Sequence, residues 1–122
     1  MTTAPAPSIQ ASPGIFQTLN ALRASNAVRL DDAEIAALAA ALDGVSASSI
    51  ELFGSRTDPA ARGGDIDILI LSAAPRLQTA RRVSSRFFIH CEERLDVVVL
   101  DPARMNVTEE AFVSSLRRVR IA

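Results

Sequence analysis

The chain contains no lysine, no tryptophan and no tyrosine, and it has one cysteine among 122 residues. All thirteen basic residues are therefore arginine, which beside the abundant alanine reads as genome composition rather than a mechanistic requirement. With aromatics limited to five phenylalanines, leucine, isoleucine, valine and alanine must fill the core, and a hydrophobic content of 48% is enough for one domain of this length. The lone Cys91 excludes an internal disulfide and a multi-thiolate zinc site built from this chain alone, and it suits the reducing cytoplasm. A formal net charge of -1 leaves no basic excess, which argues against direct nucleic-acid binding of the tight, sequence-independent kind. No apolar run is long enough to span a membrane.

What is present divides simply. The start, "MTTAPAPSIQASPG", is rich in Ala, Pro and Ser and lacks a signal-peptide pattern, so residues 1–13 are expected to be a disordered leader before a single domain spanning residues 14–122. Ile15, Phe16, Leu19 and Leu22 predict a helix over residues 14–25. Asp31 and Glu34 form a capping-box pattern ahead of a helix over about residues 32–42, with Ile35, Leu38 and Leu42 on one face and Gly44 ending it. "SSIELFG" and "DIDILIL" predict strands separated by the loop "SRTDPAARGG". A third helix is expected from Pro75 to about Glu92 through Leu77, Ala80, Val83, Phe87 and Cys91. "RLDVVVL" follows as a third strand, and Thr108 is expected to cap a last short helix through Ala111, Phe112, Ser115 and Leu116. The expected class is α+β, a small mixed sheet flanked by helices.

Asp65 and Asp67 stand at the head of an otherwise apolar strand, eleven residues beyond Gly54. Residues i and i+2 of a strand share a side, so the two carboxylates project together and repel unless a cation lies between them. A hard divalent ion with oxygen ligands relieves that repulsion. Asp96 is the matching interruption in the third strand, and pairing of the two strands brings it to the same point. Three convergent carboxylates suit one or two Mg²⁺ ions of the kind that support phosphoryl transfer. Gly54 and Ser55 supply the complementary half, a strand-end turn whose backbone N–H groups and hydroxyl approach phosphate oxygens closely.

"GSRTDPAARGGDIDILI" followed by "RLDVVVL" resembles the signature of the DNA polymerase β-like nucleotidyltransferases, and the small size looks most like their minimal (MNT) group. The resemblance covers roughly residues 48–100. It implies a nucleotidyltransferase fold in which Gly54 and Ser55 hold the β and γ phosphates of ATP or another nucleoside triphosphate. It further implies that Asp65 and Asp67 bind two Mg²⁺ ions and that Asp96 binds the catalytic ion and helps activate an acceptor hydroxyl. The activity implied is transfer of a nucleoside monophosphate, usually AMP, and the partner implied is a HEPN ribonuclease toxin, with this chain as its antitoxin. Three departures fall in the loop: Pro59 replaces a common Gly, Gly64 replaces a common Ser, and the spacing from Gly54 to Asp65 is one residue shorter than in the commonest pattern. Alternatives of other classes are a non-catalytic antitoxin that neutralises by contact and a small-molecule transferase of the aminoglycoside type.

Arg56 is read either as a phosphate contact or as a solvated loop residue. Asp58 and Arg62 read as loop solvation, His90 as a surface or packing residue, and Glu92 and Glu93 as cover for a helix end. Arg81, Arg82 and Arg86 read as a solvated helix face, and Arg117, Arg118 and Arg120 as partners of a helix C-terminus. A sheet edge or the Ala-rich second helix offers a surface for an oligomer.

Overall fold

The computed structural model describes the backbone of residues 6–122 and the side chains from residue 14 onward. Its helices are α1 (Ala6–Ala24), α2 (Asp32–Leu42), α3 (Arg76–His90) and α4 (Val107–Ser115), and its strands β1 (Ser49–Phe53), β2 (Ile66–Leu71), β3 (Leu95–Leu100) and β4 (Arg118–Arg120). The protein is a small α+β fold. Part of the expected leader, residues 1–5, lies outside the described residues, and the rest forms the start of α1, so that helix begins earlier than its apolar residues suggest.

α2 follows its sequence closely because both halves of its capping box form: Asp31 accepts from the Glu34 N–H, and the Glu34 carboxylate accepts from the Asp31 N–H. The helix buries a broad face, with Ile35, Ala37, Leu38, Ala39, Ala41 and Leu42 enclosed. Ala37, Ala39 and Ala41 pack closely against the neighbouring helices, while Ala33, Ala36 and Ala40 form an exposed stripe on the other face. α1 buries Ile15 and Leu19 and leaves Phe16, one step round the helix, half exposed. α3 turns Val83 and Phe87 inward, while Leu77, expected on the same line, stands in solvent.

The sheet order is β3-β2-β1-β4. β1 pairs antiparallel with β2 and β4, and β2 runs parallel to β3 through the α3 crossover. Side-chain alternation divides the sheet cleanly. Ile50, Leu52, Ile66, Ile68, Ile70 and Val99 join the helices in the main core. Full burial of each such side chain contributes about 1.5–3 kcal/mol. Phe53, Leu69 and Leu100 form a smaller cluster on the opposite face, covered by Val113 of α4. Phe112 stacks edge-on against Phe53 at 6.0 Å.

Two boundaries differ from expectation. The cap of α4 is Asn106, whose side chain accepts from the Glu109 N–H, and Thr108 lies inside the helix. Arg118 and Arg120 belong to β4, not to a helix end, and Arg118 donates to Glu51 at 2.8 Å. A three-residue strand is too short for a period to show, although the alternation Arg118-Val119-Arg120-Ile121 is its trace. Among the described residues no helix is long and apolar enough to cross a membrane.

Candidate functional site

The site lies where β1 ends. Phe53 is extended and Gly54 turns left-handed at φ +79°, after which Gly54–Thr57 form one 3-10 turn. Thr57 Oγ1 closes that turn by donating to the Gly54 carbonyl at 2.6 Å. With four residues, it adds no helix dipole of consequence. Gly54 is required twice over: its φ is strained for any side chain, and a Cβ there would run into the Asp67 carboxylate, with Asp67 Cγ 3.3 Å away. The Gly-Ser turn therefore packs directly on the second acid of the Asp-x-Asp pair.

Gly64 performs the same service on the other side of the loop. Its φ is +85°, and a Cβ would collide with the Ser55 hydroxyl and approach Ser55 Cβ to 3.2 Å. A side chain at residue 64 would therefore be both strained in its backbone and crowded by Ser55.

Asp67 pairs in register with Asp96 across β2 and β3, and with Phe53 across β1 and β2, which in turn pairs with Arg118. Arg118, Phe53, Asp67 and Asp96 thus form one row across one face of the sheet. Burial, followed by the charges of Asp96 and Asp65 and a hydrogen bond with Asp96, raises the Asp67 carboxyl to about 6.

Asp65 departs from the expected convergence. Its charge reaches Asp67, but its carboxylate turns to the exposed Arg94, with Nε 3.6 Å from Oδ1. Asp65 precedes the first residue of β2, so strand geometry does not hold it beside Asp67. Among the described residues no three His, Cys, Asp or Glu side chains are gathered as an ion-holding group. Two of the three acids meet, and both offer hard oxygen donors of the type Mg²⁺ takes.

Arg56 is neither a phosphate contact nor a solvated loop residue. It is 6% exposed and makes a two-pronged pair with Glu34, Nη1 to Oε1 at 2.9 Å and Nη2 to Oε2 at 3.0 Å. Burial pushes the Glu34 carboxyl up, but the hydrogen bonds from Arg56 and the Asp31 N–H, with the charges of Arg56 and Arg29, hold it below its ordinary value. The capping acid of α2 thereby fastens the Gly-Ser turn from behind. Glu34→Ala would strand the Arg56 charge in the interior and is expected to lower stability by about 3–5 kcal/mol, read as a urea midpoint shift without change in slope.

Of the remaining residues, Asp58 caps its own turn by accepting from the Ala60 N–H, and Arg62 and His90 are exposed. Arg81 and Arg82 are exposed, whereas Arg86 donates to the Asp43 carbonyl. Sequence reasoning missed Glu34 and Arg29 as supports of the site. A Glu flanked by the apolar face of α2 was a signal for the first, while nothing local marks Arg29.

Compared with protein-family models, curated proteins and solved structures, the chain matches none.

Proposed function

We propose that the chain is a Mg²⁺-dependent nucleotidyltransferase of the DNA polymerase β-like, minimal type, which moves AMP from ATP to a hydroxyl of a protein partner in the cytoplasm. The observation that carries this reading is the contact of Gly54 with Asp67, which stands in register with Asp96. The Gly-Ser turn and a carboxylate pair are built as one unit, and the pair is electrostatically unfavourable without a cation.

The residues divide the reaction between them. Ser55 and the backbone around Gly54 orient the β and γ phosphates. Asp67 and Asp96 would hold Mg²⁺, with Asp65, whose charge reaches Asp67, as the third oxygen donor. Bound Mg²⁺ supplies charge neutralisation for the phosphoryl oxygens. The acceptor oxygen forms a bond to the α phosphorus, the bond from that phosphorus to the bridging oxygen breaks, and pyrophosphate leaves. Asp96, the more exposed of the paired acids, is placed to take the acceptor's proton.

The partner proposed first is a HEPN toxin, for which this chain is the antitoxin. The test is incubation of the purified protein with Mg²⁺, α-labelled nucleoside triphosphates and that partner, beside an Asp67→Asn, Asp96→Asn variant. Label on the partner only with intact acids supports transfer. A partner bound and silenced equally by both forms, without label, replaces transfer with neutralisation by contact.

A further inference from the structure

Arg29, in the linker between α1 and α2, belongs to no motif, yet its guanidinium reaches three carbonyls of the loop between β1 and β2. Nε donates to Asp58 at 2.8 Å, and Nη2 donates to Ser55 and Gly63, each at 2.9 Å. Arg56 extends the same pattern, with Nε donating to the Gly64 carbonyl at 3.0 Å and Nη1 to the Arg29 carbonyl at 2.9 Å. The Arg29 N–H returns a bond to the Arg56 carbonyl at 2.8 Å. Both ends and the middle of the loop are drawn toward one pair of guanidinium groups.

The planarity of the peptide gives this a consequence. In a trans peptide the carbonyl of one residue and the N–H of the next point in opposite directions. With the Gly63 and Gly64 carbonyls turned to the arginines, the N–H groups of Gly64 and Asp65 point away from them. Neither N–H has a protein acceptor among the described residues. The Asp58 carbonyl precedes Pro59, which has no N–H to orient. Gly64 lies against the Ser55 hydroxyl, so these donors stand beside the expected phosphate contact. Of the charges behind the loop, Arg56 is balanced by Glu34, which leaves Arg29 as an added positive charge.

We propose that Arg29 is a positioning residue for triphosphate recognition: its fork holds the Ser55, Asp58 and Gly63 carbonyls inward, beside the Gly64 carbonyl held by Arg56, so that the N–H side of the loop is presented with Ser55 to the phosphates. This rests on the nucleotidyltransferase reading. It differs from a general stabilising role in predicting that nucleotide affinity and metal affinity separate.

The test uses the full chain and its Arg29→Lys and Arg29→Gln variants. Lys keeps the charge and loses the fork, and Gln loses both. Three quantities are measured: the affinity for Mn²⁺ alone, the affinity for Mg²⁺ with α,β-methylene-ATP, and amide exchange of the loop against that of β2 and β3. Both variants are expected to bind Mn²⁺ as the unaltered protein does, with sheet exchange unchanged. Loop exchange should rise and nucleotide affinity fall by roughly ten- to a hundredfold, Gln more than Lys. Nucleotide affinity unchanged in both variants overturns the positioning role alone. Parallel loss of Mn²⁺ binding and sheet protection also overturns it, since Arg29 would then act on the fold. A parent protein that binds Mn²⁺ but no nucleotide overturns the nucleotidyltransferase reading and this role with it.

Discussion

Asp67→Asn is expected to abolish transfer while making the protein more stable. Removal of one paired carboxylate should lower the rate by at least about a thousandfold, equivalent to roughly 4 kcal/mol of transition-state stabilisation. Stability should move the other way. The folded protein retains the Asp67 proton to pH of about 6, and the unfolded chain releases it near 3.8. Between those values the folded state binds more protons, so stability falls as pH rises through that window and stays lowered above it. At this half-buried site the effect is on the order of 1–2 kcal/mol. In chelator, urea titrations at pH 4 and pH 7 should show that loss for the native chain and none of it for Asp67→Asn. Mg²⁺ should raise the melting temperature of the native chain at pH 7 and leave the variant unmoved. A variant with full activity, or one less stable than the parent at pH 7, would contradict the role assigned to this acid.

Gly54→Ala is the second large effect, and its cause is steric. The left-handed backbone disfavours alanine by roughly 1–2 kcal/mol. The added methyl meets the Asp67 carboxylate, which is backed by the buried strand carrying Ile66 and Ile68 and cannot retreat freely. The turn must shift instead, and a displacement near 1 Å at a reacting centre costs about a hundredfold in rate. Nucleotide affinity and Mg²⁺ affinity should both weaken, because one methyl disturbs the phosphate turn and the metal pair together. Gly63→Ala is the control: that glycine is also left-handed, at φ +60°, but nothing lies within 4 Å of its added Cβ. Its cost should appear in stability, with little change in Mg²⁺ affinity.

Much of this arrangement was legible in the sequence because strand alternation is a strong constraint. The apolar set Ile66, Ile68, Ile70 must face a core, which places Asp67 on the other side, and the single Asp in "RLDVVVL" finds its partner once the strands pair. The capping box of α2 was readable for the same local reason. Alternation applies only inside a strand and Asp65 sits one residue before β2 begins, so the strand pattern alone did not foresee its contact with Arg94, although its charge still reaches Asp67. Arg56 and Glu34 were assigned separate local roles, and only the tertiary approach of α2 to the turn joins residues 22 positions apart. β4 was missed because its pairing with β1 depends on contacts almost 70 residues away in sequence, between Glu51 and Arg120.

The parallel register of β2 and β3 also bears on the order in which the molecule assembles. β1 and β2 are joined by a short loop and can zip early, whereas β3 must wait for the α3 crossover to close a longer stretch of chain. A nascent chain that has paired only β1 with β2 already has its glycine turn against Asp67, but it lacks Asp96. The mutual repulsion of the two acids arises only when β3 pairs with β2. The row of paired acids is therefore complete only once β3 has docked.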